Sequence, residues 1–195
     1  MSQAIRGKGM RYLETHRLRL RPLSLNDLSA LTSILGDPEV MKYSIRGVFD
    51  EAATRQFIEW CCTCYAAHGM GPMALVEKDT HLLIGFCGVS PEEIGGVEEI
   101  MLGYRLAARY WNQGFAPEAV RAVLDQAFNE KSLPSVVALI EPEHTASQKV
   151  AAKAGFDHFE IQEYHGCTLR MYRQTREQWC SSKGNMTEGG LVSLR

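Results

Sequence analysis

The pattern of hydrophobic and polar residues predicts a strand, two helices and a hairpin in the first half of the chain. Residues 17–21 alternate as Arg-Leu-Arg-Leu-Arg, which predicts a half-buried strand. Apolar residues then recur at helical spacing over residues 28–35 and 57–65, and Asp50 is placed to cap the second helix. Residues 73–77 and 81–89 predict a β-hairpin, followed by an acidic, glycine-containing loop at 90–96.

The second half of the chain alternates strands with helices. Residues 98–106 predict a strand, and the next helix carries Pro117 in its first turn, where a missing N–H group does no harm. The remaining predicted elements are a buried strand at 135–141, a short helix at 145–154, strands at 156–164 and 167–174, and a last turn at 175–179. A mixed α/β sheet of about seven strands with helices on both faces accommodates both kinds of connection.

Composition fits one globular domain of ordinary size. The chain has 195 residues, of which 45% are hydrophobic and 23% charged. These values are close to globular averages. We expect one domain over residues 13–179, a loose N-terminus at 1–12 and a flexible tail at 180–195. The net charge of -2 gives no support to nucleic-acid binding.

Membrane and metal partners are also not expected. No apolar run approaches the roughly 20 residues of a membrane helix, and no signal-peptide pattern follows the N-terminus. Cys61, Cys62 and Cys64 lie close together, but helical spacing points their thiols in different directions. We therefore expect free thiols and no metal site.

A glycine-containing turn between the strand at 98–106 and the following helix is the strongest candidate for ligand binding. Gly114 permits an unusual backbone conformation or a close approach, and Ala116 keeps the next position small. Free N–H groups from Gln113 to Ala116 at a helix N-terminus can hold a diphosphate, and Arg109 can add a charge. A simple tight turn is the alternative. Neither the dinucleotide-binding G-x-G-x-x-G pattern nor the phosphate-loop pattern is present.

This turn resembles the (Q/R)-x-x-G-x-(G/A) motif of the GNAT superfamily of N-acetyltransferases. Gly114 and Ala116 match its last two positions, while Trp111 occupies the Gln/Arg position. Residues 110–119 are also similar to the Y-W-G-x-G-Y-A-x-E-A motif of the RimJ/RimL-like, ribosomal-protein-acetylating branch, with Asn112 and Phe115 as departures. Further similar segments lie at 15–23, 37–41, 102–106, 147–156 and 175–179, in the family's order.

The resemblance implies a mostly antiparallel GNAT sheet whose fourth and fifth strands splay apart around the pantetheine arm of acetyl-CoA. The arm would pair with backbone groups of Tyr104, Arg105 and Leu106. The pyrophosphate would lie on the turn, whose implied cofactor residues are Arg109, Asn112, Gln113, Gly114, Phe115 and Ala116. His144 replaces the branch's usual Asn and would contact the cofactor or take a catalytic role. A cytoplasmic setting is expected from the same resemblance.

The proton chemistry of acetyl transfer requires a neutral amine and a stabilised leaving thiolate. Strand parity puts Glu99 on the face of Met101 and Arg105, which makes it one candidate base. Glu163 is the rival, because some members of the branch use a Glu in that strand. Ala151 stands where many superfamily members carry a proton-donating Tyr. The branch instead places a Ser near the sulfur, here Ser147, whose alternative role is a hydrogen bond to the local helix backbone.

The resulting expectation is direct acetyl transfer from acetyl-CoA to a primary amine in a ternary complex. The acceptor could be a protein N-terminus, an amino acid or a small amine. The non-enzymatic alternative is an acyl-CoA-binding regulatory or scaffolding module without turnover. Both a monomer and a homodimer are compatible with the sequence.

Overall fold

The computed structural model describes residues 12–188, which form one sheet flanked by helices. The strands are β1 (Leu13–Glu14), β2 (Leu18–Pro22), β3 (Pro72–Glu77), β4 (Leu83–Ile94), β5 (Val97–Leu106), β6 (Ser135–Ile140), β7 (Phe159–Tyr164) and β8 (Cys167–Thr175). They form an eight-stranded sheet in the order β1-β2-β3-β4-β5-β6-β8-β7. All neighbouring strands pair antiparallel except β5 and β6.

Sequence signals mark both ends of the second helix, and five helices accompany the sheet within the described residues. They are α1 (Leu28–Leu35), α2 (Glu51–His68), α3 (Phe115–Asp125, continued by a π-helical turn over Gln126–Glu130), α4 (Thr145–Lys153) and α5 (Arg176–Glu188). The Asp50 carboxylate accepts a hydrogen bond from the Ala53 N–H group at 2.7 Å, which satisfies one of the free donors at the start of α2. Gly69 ends α2 in the left-handed conformation, with φ of 63°.

Helices cover both faces of the sheet, as predicted. On one face, α3, α4 and α5 pack on the sheet through a core that includes Leu20, Val120, Ala151 and Trp179. On the other face, α1 and α2 pack through a second core. Its members include Leu31, Ile58, Ala74 and Phe86. This arrangement confirms the mixed α/β class. None of the described helices combines the length and apolar character that a bilayer span requires.

The sheet opens between β5 and β6. β5 pairs with β4 along its whole length, from Val97 to Leu106, but meets β6 at one register position, Met101 opposite Val137. Beyond that position the two parallel strands diverge. β5 and β6 correspond to the fourth and fifth strands of the predicted GNAT sheet. Their numbers are higher by one because the short strand β1 precedes the predicted first strand. The predicted splay is thereby confirmed.

Two predicted boundaries are wrong. Residues 90–96 were expected to form a loop, but β4 continues to Ile94 and the turn consists of Gly95 and Gly96, with φ of 60° and 80°. A two-residue turn with positive φ matches the twist of a hairpin, so it holds the acidic residues in register. Glu92 and Glu93 pair across the hairpin with Glu99 and Glu98. Because these residues are polar, the hydrophobicity pattern did not predict that β4 continues through them.

The last helix is also longer than expected. A single turn ending at Trp179 was predicted, with a tail from residue 180, whereas α5 runs 13 residues to Glu188. Trp179 is buried against Phe128, with ring centroids 5.8 Å apart. The residues after Trp179 carry no core pattern, so hydrophobic periodicity could not reveal the rest of the helix. Two parts of the predicted termini lie outside the described residues. They are residues 1–11 of the predicted loose N-terminus and residues 189–195 of the predicted tail.

Candidate active site

The turn before α3 needs glycine at one position. Gly114 is the N-cap of α3 and has φ of 82°, in the left-handed region where side chains are strained. Asn112 is left-handed as well, with φ of 59°. A Cβ atom at Gly114 would lie 3.3 Å from Nη2 of Arg17. The turn therefore combines an unusual backbone conformation with a close approach, as the G-x-A pattern predicted.

Arg17 supports this turn from beside the opening strand. Its Nη1 donates to the Gln113 carbonyl at 2.8 Å, and its Nε donates to the Glu118 carboxylate at 2.7 Å. Its guanidinium also lies over the Phe115 ring, 4.2 Å from the centroid. Burial works against the charge on Glu118, but hydrogen bonds from Thr15 and Arg17 hold its pKa below the ordinary value. Arg17 and Glu118 thus fix the turn to the sheet.

A cavity of about 580 Å³, here called the turn cavity, lies between this turn, the end of β5 and the start of α4. Predicted cofactor residues that line it are Tyr104, Arg105, Leu106, Asn112, Gly114, Phe115, Ala116, His144 and Ser147. Arg109 and Gln113 do not line it. Arg109 is exposed and lies over the Tyr110 ring at 5.1 Å, and the Gln113 amide donates to the Arg109 carbonyl.

A second cavity of about 240 Å³, here called the aromatic cavity, lies on the side of the sheet that carries α1 and α2. Its aromatic lining consists of Tyr43, Phe49, Phe57, Trp60, Phe86, Tyr104 and Tyr164. The carboxylates in its lining belong to Glu92 and Glu141. Burial and a hydrogen bond with Glu92 raise the pKa of Tyr164, so that hydroxyl keeps its proton.

The two cavities meet at four residues that line both of them: Tyr43, Tyr104, Arg105 and Ser147. At this junction the Tyr104 hydroxyl lies 2.6 Å from Ser147 Oγ. Burial raises the pKa of Tyr104 to about 12, so its hydroxyl remains protonated at neutral pH. Ser147 is itself buried in the first turn of α4. The junction therefore offers two coupled hydroxyl groups.

A cation lies at the junction, and an imidazole lies beside it in the turn cavity. Arg105 is partly buried, and its Nη1 donates to the Tyr104 carbonyl at 3.1 Å. The His144 ring stacks on Tyr43, with centroids 4.2 Å apart. Burial, and secondly the charge of Arg105, lower the pKa of His144 to about 4. His144 is therefore neutral and only weakly basic at physiological pH.

The structure does not bring the two candidate bases to the junction. Glu99 forms a bidentate pair with Arg173, at 2.6 and 2.9 Å, and that hydrogen-bonded pair lowers its pKa. Glu163 is an exposed residue of β7 that accepts a hydrogen bond from Thr168. Neither residue lines the turn cavity or the aromatic cavity. Ser147 is the one member of the predicted catalytic set that lies at the junction.

Several functional candidates were missed from sequence. The Tyr104 side chain could have been found, because the strand parity that grouped Glu99 with Arg105 puts Tyr104 on the opposite face. Tyr43 lies in an irregular segment and gave no signal. Trp111, which replaces the motif's Gln or Arg, donates its indole N–H to the Leu106 carbonyl at 2.9 Å. It thereby secures the end of β5.

Metal binding has no structural support among residues 12–188. Those residues contain no group of three or more His, Cys, Asp or Glu side chains able to hold an ion. Cys61 and Cys64 are buried, and Cys62 is exposed. Burial is the main cause of the raised thiol pKa at Cys61 and Cys64.

Comparison with known sequences identifies the family. The sequence profile described as an acetyltransferase (GNAT) domain matches residues 17–157. The chain belongs to the GNAT acetyltransferase family. The Bacillus subtilis protein YkkB is 37% identical over 144 residues, which are 73% of this chain and 83% of YkkB. The N-acetyltransferase p20 of Bacillus licheniformis is 33% identical over 150 residues, covering 75% of this chain and 83% of p20. These relationships make the chain an acyltransferase enzyme.

The fold of this GNAT protein also matches solved structures of the family. Mycobacterium smegmatis RimJ, in complex with CoA-disulfide, superposes with a TM-score of 0.70 at 19% identity. The match covers 90% of this chain and 95% of RimJ. At that identity the likeness concerns the fold, including the eight-stranded mixed sheet described above.

Proposed function

We propose that this acyltransferase transfers an acetyl group from acetyl-CoA directly to a primary amine, with both substrates bound at once. The observation that carries the proposal is the meeting of two cavities at Tyr43, Tyr104, Arg105 and Ser147. One cavity includes the turn that resembles the family's cofactor motif. The other approaches the same point from the opposite side of β5. Such an arrangement allows an amine to reach a thioester without a covalent enzyme intermediate.

The turn cavity has the size and charge to accept acetyl-CoA. Its volume of about 580 Å³ lies within the range of ordinary ligand pockets. The N-terminus of α3 offers backbone N–H groups to a pyrophosphate. Exposed Lys42, Lys149 and Lys153 also line the cavity and supply positive charge for the phosphates. RimJ, which shares the fold, has been solved with a CoA species, and this supports the assignment.

The pantetheine arm is proposed to run along the open edge of β5 near Tyr104, Arg105 and Leu106. The carbonyls of Tyr104 and Leu106 accept hydrogen bonds from the Arg105 guanidinium and the Trp111 indole, respectively. A carbonyl oxygen has two lone pairs. The arm would therefore share these carbonyls with the side chains or displace the side chains from them.

The coupled hydroxyl groups are proposed to stabilise the leaving group. When the amine attacks the thioester carbon, a C–N bond forms, the C–S bond breaks, and negative charge collects on sulfur. Tyr104 and Ser147 can direct a hydrogen bond to that sulfur, because both hydroxyls remain protonated. The proton that the amine loses balances the thiolate, which leaves as CoA thiol. The site therefore has hydroxyl donors even though Ala151 stands where many superfamily members carry a proton-donating Tyr.

The amine must lose its proton before it attacks. Arg105 and burial both disfavour an ammonium ion at the junction, and this lowers the pKa of a bound amine. His144 is too weakly basic, with a pKa of about 4, to be an efficient base for an amine. A contact between His144 and the cofactor fits its position in the turn cavity better.

Membership of the RimJ/RimL-like branch is proposed on the similarity of residues 110–119 and on the shared fold with RimJ. A single catalytic domain over residues 13–179 and a cytoplasmic location accompany that assignment. The monomer and the homodimer are equally compatible with it.

Thiol release from acetyl-CoA, measured with a panel of amino acids, small amines and peptide N-termini, tests the proposal. We expect turnover with at least one class and formation of an N-acetyl product, seen by mass spectrometry. Tight CoA binding without turnover across the panel would instead support an acyl-CoA-binding regulatory module.

A further inference from the structure

The charge of Arg105 is not matched by an acidic side chain within residues 12–188. Three other arginines each form close carboxylate pairs: Arg17 with Glu118 at 2.7 Å, Arg21 with Asp27 at 2.6 Å and Arg173 with Glu99 at 2.6 Å. Arg105 is partly buried, yet its hydrogen bond in the described structure goes to the Tyr104 carbonyl. Even partial burial of a charge is costly unless an opposite charge meets it. A ligand anion would supply that charge.

The position of Arg105 defines what kind of anion is suitable. It lines both cavities at the junction, where an acceptor amine must meet the thioester. A carboxylate bound to Arg105 is therefore also at the junction. In an α-amino acid the amine is attached to the carbon next to the carboxylate. A guanidinium that holds the carboxylate with two parallel hydrogen bonds would thus position the α-amine at the reaction point.

We propose that Arg105 binds the α-carboxylate of the acceptor, and that the acceptor is a free amino acid with an apolar or aromatic side chain. This inference rests on the proposed function, since it names the amine. A peptide N-terminus has an amide at that place and offers no such anion. A polyamine or a polycationic drug would place positive charge against Arg105.

The aromatic cavity suits the side chain of such an acceptor. Its volume of about 240 Å³ is below the range of about 300–1,000 Å³ for drug-sized ligands. The Phe57 ring contacts three other aromatic rings of the lining, with centroids 5.0 Å from Phe86, 5.8 Å from Trp60 and 6.3 Å from Phe49. Glu92 and Glu141 in the lining disfavour an acidic side chain. These features favour residues such as phenylalanine or leucine.

The cofactor phosphates are the competing anion for Arg105. Three lysines, Lys42, Lys149 and Lys153, already line the turn cavity, whereas no lysine lines the aromatic cavity. Arg105 is the sole arginine or lysine that both linings share. The position of Arg105 therefore fits the acceptor carboxylate better than it fits the cofactor phosphates.

Acetylation kinetics with L-phenylalanine, L-phenylalaninamide and phenethylamine test the inference without any mutation. Only the first of these amines carries the carboxylate. We expect kcat/KM for phenylalanine to exceed that of the other two by roughly 10- to 150-fold, as hydrogen bonds to a charged partner provide. Equal values would overturn the inference while leaving acetyl transfer intact.

The same assays with variants of Arg105 test whether this residue causes the preference for phenylalanine. Arg105→Met should remove the preference for phenylalanine, so that phenylalanine and phenethylamine are acetylated with similar kcat/KM values by the variant. Arg105→Lys should retain part of the preference and provides a second variant should the first fail to fold. Arg46→Met is the matched control, because Arg46 is an exposed arginine that also lines the aromatic cavity. A rise in the acetyl-CoA KM with every acceptor would assign Arg105 to the cofactor instead.

Calorimetry separates this inference from the proposed function. If no amine is acetylated, the proposed function fails, and the binding of phenylalanine to the CoA-loaded protein is then measured directly. Binding that Arg105→Met abolishes would support the carboxylate site. Binding that the variant leaves unchanged, or no binding to the wild type, would overturn it.

Discussion

The Tyr104 hydroxyl and Ser147 Oγ lie 2.6 Å apart and join β5 to the first turn of α4. The Tyr104 hydroxyl also lies 3.2 Å from the Ser147 carbonyl oxygen. The pair crosses the gap in which β5 and β6 diverge, next to the point where the two cavities meet. A hydroxyl on the sheet and a hydroxyl on a helix are thereby held at one position.

Removal of either hydroxyl should slow the chemical step. We expect Tyr104→Phe and Ser147→Ala each to lower kcat by about 10²-fold, the usual cost of removing one donor to developing charge. The dissociation constant of CoA should change much less. The double variant should be little worse than the single ones, since the two hydroxyls act as a unit. Additive losses, or a wild-type kcat in either variant, would remove the pair from the mechanism.

The turn before α3 should not tolerate even a methyl group. Gly114→Ala places a Cβ atom at φ of 82° and 3.3 Å from the Arg17 guanidinium. We expect CoA affinity to fall about tenfold and the free energy of unfolding to fall by about 1–2 kcal/mol. Titration calorimetry and thermal denaturation measure the two effects.

Gly96→Ala is the control for the backbone strain. Gly96 has φ of 80° in the β4–β5 hairpin, and a Cβ atom there meets nothing within 4 Å. This variant should lose similar stability and keep the CoA affinity of the wild type. An equal loss of affinity in both variants would trace the effect to general destabilisation and not to the turn.

Arg17 should matter for both stability and cofactor binding. Arg17→Met leaves the partly buried Glu118 carboxylate without its guanidinium partner and the Gln113 carbonyl without its donor. We expect a loss of about 1–3 kcal/mol in the free energy of unfolding and a higher KM for acetyl-CoA.

Arg19→Met provides the comparison with a surface pair. Arg19 contacts Glu14 at 3.1 Å, with about half of each side chain exposed. Its removal should cost at most about 1 kcal/mol, as is usual for exposed ion pairs, and should not affect KM. A higher KM in this variant would show that charge near β2, and not the Arg17 contacts, governs cofactor binding.

Glu99 should stabilise the fold in a pH-dependent manner without acting as the base. Its folded-state pKa is lowered by Arg173 from an ordinary value of 4.5. The stabilisation is therefore complete above that ordinary value and is lost as the pH falls through the lower folded-state pKa. Glu99→Gln should reduce the melting temperature at pH 7, and the difference from wild type should shrink toward pH 3.

Activity distinguishes the two roles of Glu99. If it only pairs with Arg173, kcat for Glu99→Gln should stay within about twofold of wild type at 25 °C. A fall of about 10² or more in kcat, with the fold intact, would restore Glu99 as a general base.

The sequence predicts the fold and the cofactor turn because both depend on local patterns. The G-x-A turn at Gly114 and the cap at Asp50 are short-range features whose physical requirements are visible in consecutive residues. The aromatic cavity is different. Phe57 and Phe86 come from α2 and β4, and neither position differs in pattern from an ordinary core residue. Only the three-dimensional arrangement shows that they line a cavity.

The candidate base illustrates a second limit. Strand parity correctly groups Glu99 with Arg105 on one face of β5, but parity says nothing of what lies across the sheet. Arg173 on β8 is 74 residues away in sequence and takes both carboxylate oxygens of Glu99. A partner so far away in the sequence cannot be predicted from the local pattern of residues.

The single contact between β5 and β6 has a consequence for hydrogen exchange. Because alternate residues of β5 point to opposite edges, half of the amides beyond Met101 face the gap and have no strand partner there. Those amides should exchange rapidly with deuterated solvent, whereas those directed to β4 should be protected. A bound pantetheine arm would slow exchange over residues 103–106 and leave β3 unaffected. Amide exchange along β5, where it diverges from β6, would therefore report whether the cofactor is bound.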